Sequence, residues 1–77
     1  MPNKQKYGIL VYCEKAFRFV THLNDRNAKW DVGQRALLFA SRAYAKDIAT
    51  GLCLNGFPAM LVEIPNYMEN LLVNLPA

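Results

Sequence analysis

The stretch KAFRFVTHL (residues 15–23) decides how the sheet of this protein is built, because it places a charged residue between two phenylalanines. Side chains alternate between the two faces of a strand, so Phe17 and Phe19 share one face while Arg18 and His22 share the other. Burying an unpaired charge costs several kcal/mol, whereas burying each phenylalanine gains about 1.5–3 kcal/mol. We therefore predict that Phe17 and Phe19 face the core and that Arg18 and His22 face outward.

The composition indicates one small folded domain over residues 1–77, with a flexible N-terminus over residues 1–6. Of the 77 residues, 53% are hydrophobic and 19% are charged, which is far too apolar for a disordered chain. A domain of this size buries a limited share of its surface, so a partner subunit is a common source of added stability. The net charge of +3 is scattered along the chain, which favours a solvated surface over a nucleic-acid footprint.

Cysteine usage and hydropathy indicate a cytoplasmic protein with two reduced thiols. Cys13 and Cys53 lie far apart and belong to no CxxC pair, whereas small secreted scaffolds carry four or more cysteines. The polar start MPNKQK is followed by an apolar run that is too short for a signal peptide. No segment of the sequence approaches the roughly 20 apolar residues of a membrane-spanning helix, so we expect no membrane association.

Aromatic and β-branched residues predict the first two strands. Residues 7–13 form the first strand and residues 17–23 the second, joined by the short connection of residues 14–16. This connection lacks an Asn-Gly or Asp-Gly turn, so the register of the hairpin stays open. Residues 24–34 are predicted to form a polar loop in which Trp30 folds back over an edge of the core.

A helix is predicted between Ser41, a favourable N-cap, and the stop at Asn55 and Gly56. Its apolar stripe follows helical spacing and consists of Ala45, Ile48, Ala49 and Leu52. Upstream, residues 36–39 fit a short strand, which we favour. They also fit a longer helix that starts at residue 32 behind an Asp31 cap.

Residues 57–64 predict a last strand, and residues 66–75 predict a short amphipathic C-terminal helix. The order of elements indicates an α+β fold, a two-layer sandwich with a mostly antiparallel sheet of three or four strands, ββ(β)αβ. One main helix packs on this sheet, and the C-terminal helix is added to it.

The chain resembles short proteins of low-GC Gram-positive bacteria and their phages. In these, two strands of the "Y-x-I/V" and "FVT" kind precede an "A-x-x-F-x-S" stretch and a helix. The resemblance covers residues 6–64 and implies a fold without an activity. The residues that carry it are Tyr7, Ile9, Phe19, Val20, Thr21, Ala36, Phe39, Ser41, Ala45, Ile48, Ala49 and Leu52.

Residues 15–22 also resemble the ribonucleoprotein octapeptide of the RNA-recognition-motif family, through Lys15, Phe17, Phe19 and Val20. In that family the two aromatic residues are exposed and stack on bases. Here that orientation would bury Arg18, which stands where the family has Gly or Ala. We therefore expect that the octapeptide is not a base-binding strand.

With the phenylalanines inside, Ile9, Val11 and Cys13 are expected beside them, and Met60, Val62 and Ile64 are expected to point inward from the last strand. The outer face then carries an apolar patch that needs a cover. Either the C-terminal helix or a second copy of the chain provides it, and we favour a homodimer. The predicted dimer or partner surface is Leu10, Tyr12, Val20, Leu61, Met68, Leu71, Leu72 and Leu75.

The sequence predicts no catalytic, cofactor-binding or metal site. His22 is the only histidine, the carboxylates are not paired, and no glycine-rich phosphate loop is present. Cys13 and Cys53 are expected in apolar surroundings, where thiols are normally inert. We interpret the protein as a non-enzymatic interaction or regulatory module.

The alternative is a weak nucleic-acid-binding protein, in which Trp30 stacks on a base and nearby cations hold phosphates. Its candidate contacts are Arg18, His22, Arg26, Lys29 and Trp30.

Overall fold

The computed structural model describes residues 5–76 and confirms an α+β fold with small antiparallel sheets and one main helix. The elements in chain order are β1 (Lys6–Cys13), β2 (Ala16–Phe19), β3 (His22–Asn24), β4 (Asn27–Lys29), α1 (Arg42–Leu54), β5 (Ala59–Ile64) and a 3₁₀ helix (Asn66–Met68).

The core lies between a three-stranded sheet and α1. The strand order is β2-β1-β5, and both neighbours of β1 run antiparallel to it. β3 and β4 form a separate two-stranded hairpin, of which Leu23 and Ala28 pack against the core. The buried cluster consists of Ile9, Val11, Val20, Phe39, Ala45, Ile48, Ala49 and Leu52.

The helix α1 forms where its sequence predicts it. The Ser41 hydroxyl accepts a hydrogen bond from the Tyr44 N–H at 3.1 Å, which satisfies one of the free donors of the first turn. Asn55 ends the helix, and Gly56 adopts the positive φ of 90° that favours glycine there. The predicted stripe is the buried face of α1. Among residues 5–76, no helix is long and apolar enough to cross a membrane.

The orientation predicted for β2 is wrong. Phe19 pairs with Leu10 and Phe17 with Tyr12, so both phenylalanines lie on the sheet face that points away from α1. Arg18 lies on the helix face opposite the buried Val11. The same alternation places Val20, predicted on the outer face, in the core, where it is fully buried.

Two contacts explain why β2 turns this way. The Phe19 ring lies over Gly8 of the central strand, and a Cβ built on Gly8 would be 3.2 Å from that ring. Glycine therefore leaves the space that the ring occupies. On the other face, the strand gains the complete burial of Val20, and Arg18 remains half-buried.

The side chains of β5 also point to other faces of the sheet than predicted. Leu61 pairs with Ile9 and therefore lies on the helix side, where it packs against the core. Met60 and Val62 pair with Leu10 and Gly8 and lie on the outer face instead of pointing inward. Ile64, also predicted to point inward, shares the outer face and is buried beside the position where Gly8 leaves room.

The second strand predicted over residues 17–23 is divided: β2 ends at Phe19, and His22 and Leu23 belong to β3. The segment predicted as a polar loop supplies the turn, with Asp25 at a φ of 58°, and the second strand of the hairpin, β4. Trp30 follows the hairpin and packs edge-on against Phe57, with ring centroids 5.2 Å apart. Residues 36–39 form neither of the predicted elements. They run extended, and Phe39 bridges to Tyr7 of β1.

The predicted C-terminal helix over residues 66–75 is absent and only the 3₁₀ helix forms. Residues 72–74 instead run extended along residues 33–36, and an isolated bridge joins Arg35 and Val73. At the other end, Lys6 belongs to β1, so the flexible N-terminus predicted over residues 1–6 does not include it. The rest of that prediction, over residues 1–4, lies outside the described residues.

Asn74 fastens the C-terminal segment to the edge of the sheet. Its side-chain Oδ1 accepts the Phe19 N–H at 2.7 Å, and its Nδ2 donates to the Phe19 carbonyl at 2.8 Å. Nδ2 also donates to the Asp31 carbonyl at 3.0 Å. The amide thus takes the place of a neighbouring strand at β2, and it is almost completely buried.

Replacing Asn74 with Ala should lower the free energy of unfolding by about 1–3 kcal/mol, because three part-buried backbone groups, the Phe19 N–H and carbonyl and the Asp31 carbonyl, lose the side-chain amide that bonds them. Asn70→Ala, in the exposed turn nearby, is the control and should change it by about 0.5 kcal/mol at most. Urea denaturation followed by circular dichroism measures both. Equal stability of the two variants would contradict the role given to the Asn74 amide.

Candidate interaction surface

The face of the sheet that points away from α1 carries a continuous set of apolar side chains. Tyr12 is 40% exposed, Phe17 64% and Met60 55%, and the remaining members are half-buried. The register of the three strands places all of them on one side. We call this set the outer sheet face: Leu10, Tyr12, Phe17, Phe19, Met60 and Val62.

Two aromatic rings form the most exposed part of the outer sheet face. Tyr12 and Phe17 are direct cross-strand partners, and their ring centroids lie 4.8 Å apart with an interplanar angle of 53°. Such tilted pairs are favourable arrangements of two rings. Beside them, Pro58 and Met60 help to line a shallow groove of about 120 Å³. The surface therefore combines rigid rings with a depression into which a side chain fits.

The outer sheet face overlaps only in part with the predicted partner surface. Leu10 and Tyr12 lie on it as predicted, whereas Val20 and Leu61 lie on the opposite side of the sheet. The leucines expected on a C-terminal helix do not form an apolar stripe. Leu71 and Leu75 are exposed, while Met68 and Leu72 are half-buried.

Sequence reasoning missed Phe17, Phe19, Met60 and Val62 as members of this face. Gly8 was the available signal, because a glycine inside a strand often marks the close approach of another group. A large ring on the neighbouring strand fits over such a glycine. That contact requires the phenylalanines on the face away from α1.

The structure does not bring the predicted nucleic-acid contacts together. Arg18 lies on the helix face of β2, and its Nε atom is buried with no hydrogen-bond partner among residues 5–76. Arg26 forms an ion pair with Asp47 of α1 at 2.9 Å. Trp30 packs on Phe57. His22 and Lys29 are cross-strand partners and line one cavity at the β3–β4 hairpin. These two residues lie together, but the five predicted contacts do not form one surface.

The hairpin cavity, of about 830 Å³, is lined by a hydroxyl, an imidazole and a carboxylate, those of Thr21, His22 and Asp31. His22 Nδ1 lies 2.9 Å from the Thr21 hydroxyl and 3.5 Å from Asp31 Oδ2. A hydroxyl–histidine–carboxylate relay needs the hydroxyl and the carboxylate on different ring nitrogens. Here both approach Nδ1, so this geometry does not transfer a proton from the hydroxyl through the ring.

The Thr21 hydroxyl instead closes the base of the hairpin. It accepts the Asp31 N–H at 3.0 Å and lies 3.3 Å from the Lys29 carbonyl, to which it donates. The backbone N–H of Thr21 donates to the same carbonyl at 2.7 Å. These bonds satisfy polar groups where the chain leaves the sheet, which is a structural task.

Among the described residues, neither cysteine belongs to a cluster of possible metal ligands. Both are free thiols, and Cys13 is half-buried against the core. Cys53 is exposed, contrary to the expectation of apolar surroundings, and its Sγ bonds to the backbone of Ala59. Within the described part of the chain, no group of three or more His, Cys, Asp or Glu side chains is placed to hold a metal ion.

Comparisons with protein-family models, with curated proteins and with solved structures found no match to this chain. The resemblance to short bacterial and phage proteins therefore stays a prediction. The arrangement of the chain's own residues is the basis for assigning its function.

The position of Arg18 leads to a prediction about stability. Replacing Arg18 with Met keeps an unbranched stem over the core and removes the unpaired Nε, so stability should stay within about 1 kcal/mol of the original or increase. Arg18→Ala loses the same charge and the stem as well, and it should be about 1–2 kcal/mol less stable. Thermal and urea unfolding of both variants measure this difference. Equal destabilisation would show that the guanidinium, and not the stem, supports the fold.

Proposed function

We propose that this protein is a small non-enzymatic interaction module that forms a homodimer through the outer sheet face. The observation that carries the proposal is the exposure of Tyr12, Phe17 and Met60 side by side on one face of the sheet. Exposed apolar patches of this kind are typical of interaction sites. The free thiols are in keeping with a cytoplasmic location.

A second copy of the chain suits this face because the face is apolar and almost free of charge. Lys6, at the far end of β1 next to Ile64, is the one charged residue that the register places on it. A two-fold axis would place identical patches against each other, with no unpaired charge in the middle. Two sheets packed face to face would then share an apolar layer, as sheets do in sandwiches.

The small size of the domain supports the same proposal. A chain of 77 residues buries a limited share of its apolar surface by itself, so its margin of stability is narrow. Each ring taken from water contributes up to about 1.5–3 kcal/mol, less for rings that are already partly covered. Dimerisation therefore stabilises the fold as well as defining an assembly.

The assignment as a non-enzymatic protein rests on the geometry of its polar groups. His22 makes both of its polar contacts through one nitrogen, and the Thr21 hydroxyl is already used within the hairpin. Cys53 is bonded to backbone and has no histidine beside it in the described hydrogen bonds and ion pairs. These arrangements favour structural roles for the groups that a reaction would need.

A second candidate function, the binding of single-stranded nucleic acid, is favoured by one specific observation. Tyr12 and Phe17 are exposed rings on adjacent antiparallel strands, and base-stacking platforms have this form. Lys15 lies in the turn between these strands. The homodimer is the stronger proposal because Arg18, Arg26 and Lys29 lie away from these rings, and stacking without phosphate contacts binds weakly.

Replacing Phe17 with Glu should weaken the dimer by at least about tenfold, because the substitution introduces a charge into an apolar interface. Light scattering coupled to size exclusion, over about 1–500 µM protein, measures the mass of both forms. Leu54→Glu is the matched control, because Leu54 is 83% exposed at the end of α1 and lies outside the outer sheet face. A monomer throughout this range, or equal effects of both substitutions, would contradict the proposal.

Adding a single-stranded oligonucleotide distinguishes the two candidate functions. The homodimer is expected to keep its mass and to show no salt-sensitive complex in fluorescence anisotropy. A complex that weakens steeply with salt and is lost in Phe17→Glu would instead establish the nucleic-acid function.

A further inference from the structure

A second surface lies along the free edge of β5, next to α1. The strand order leaves β5 with β1 as its only neighbour in the described sheet. The Tyr12 N–H donates to the Pro58 carbonyl at 2.9 Å, which fixes the residues that bond to β1. In an antiparallel pair, the backbone N–H and C=O groups of alternate residues point toward and away from the neighbouring strand. The groups of the intervening residues of β5 therefore point away from β1, in the plane of the sheet. These residues are Ala59, Leu61 and Glu63.

The outward backbone groups of Ala59 already have a hydrogen-bond partner, whereas those of the next two residues do not. The Ala59 N–H donates to Cys53 Sγ at 3.3 Å, and the thiol lies 3.4 Å from the Ala59 carbonyl, to which it donates. Within residues 5–76, the outward backbone groups of Leu61 and Glu63 have no hydrogen-bond partner. An edge of this kind is a template for another strand.

The side of α1 that faces this edge is cationic. Arg42, Lys46 and Thr50 are spaced four residues apart and line, with Leu61 of β5, a groove of about 240 Å³. Among residues 5–76, no acidic side chain lines the groove, and Glu63, the next residue of β5 on this face, lies outside its lining. The ion pairs of the described chain involve His22 and Arg26, so Arg42 and Lys46 have no anionic partner within residues 5–76.

We propose that this groove, the β5 edge groove, binds an extended acidic segment of a partner protein by strand addition. The open backbone groups of Leu61 and Glu63 supply hydrogen bonds that do not depend on sequence. Arg42 and Lys46 make the groove selective for acidic segments, because they attract carboxylates on the side of the added strand that faces α1. The apolar residues of the segment extend the outer face beside Met60 and Val62.

The charges make a second copy a poor occupant of the groove. Antiparallel pairing of two β5 edges about Leu61 would set the two α1 helices side by side on one face of the joined sheet. Arg42 and Lys46 of both copies would then meet in one seam, with a single Glu63 from each copy in opposition. Charged residues beside an edge strand protect proteins against such self-pairing. An acidic partner removes the repulsion that a second copy creates.

The β5 edge groove does not depend on the proposed homodimer. The dimer uses the face of the sheet, whereas the groove lies at its edge and on the side of α1. The Phe17→Glu variant, in which the dimer is expected to be weakened, therefore keeps the groove. Peptide binding to both forms of the protein separates a failure of one proposal from a failure of the other.

The test uses a capped peptide of about seven residues that alternates valine and glutamate, the length of an ordinary strand. Titration calorimetry measures its affinity, and amide hydrogen exchange followed by NMR reports on individual backbone groups. Binding should slow exchange at the Leu61 and Glu63 amides by at least about tenfold, since strand pairing protects them. A peptide with lysine in place of glutamate is the control and should not bind.

Two protein variants test the role of the cations. Lys46→Glu should weaken binding of the acidic peptide by about tenfold or more. Arg35→Glu makes the same change of charge on an exposed residue outside the groove and should leave the affinity within about twofold. Equal binding of the lysine peptide, equal effects of the two substitutions, or unchanged exchange at Leu61 and Glu63 would overturn the proposal.

Discussion

The placement of Phe19 determines the orientation of β2 and the attachment of the C-terminal segment. Its ring covers Gly8 on the outer side of the sheet, and both of its backbone groups are bonded by the Asn74 amide. The first contact sets the face to which β2 turns, and the second ties down the last residues of the chain. Because the side chains of β2 alternate, the position of Phe19 also places Phe17 outside and Arg18 and Val20 inside.

If the side chains of β2 were either fully buried or fully exposed, the opposite orientation would be favoured, with the phenylalanines inside and Arg18 outside. Arg18 is in fact half-buried, because an arginine stem covers apolar atoms while part of the guanidinium stays near water. The unpaired Nε is the remaining penalty. Against it stand the complete burial of Val20 and the close packing of Phe19 on Gly8.

The sequence was sufficient for elements whose signals are local. The cap at Ser41, the stop at Asn55 and Gly56, and the buried stripe of α1 all lie within one stretch, and the structure reproduces them. The strands of residues 7–13 and 57–64 were recognisable for the same reason. The C-terminal segment was not, because helical spacing there competes with the bonds of Asn74 to Phe19, which is 55 residues away in sequence. Only part of the candidate interaction surface was predicted, because its members depend on which side chains of β2 and β5 point away from α1.

The two proposed surfaces differ in the kind of partner that each selects. The outer sheet face is apolar and nearly without charge, so it gains most from an equally apolar surface, and a second copy supplies one. The β5 edge groove carries backbone groups and two cations, which makes self-pairing unfavourable and an acidic strand favourable. Two sheets packed face to face leave their edges and their outer helices uncovered. A dimer built on the outer sheet face therefore presents two β5 edge grooves, and a partner with two acidic segments would bind it with an avidity that a monomer lacks.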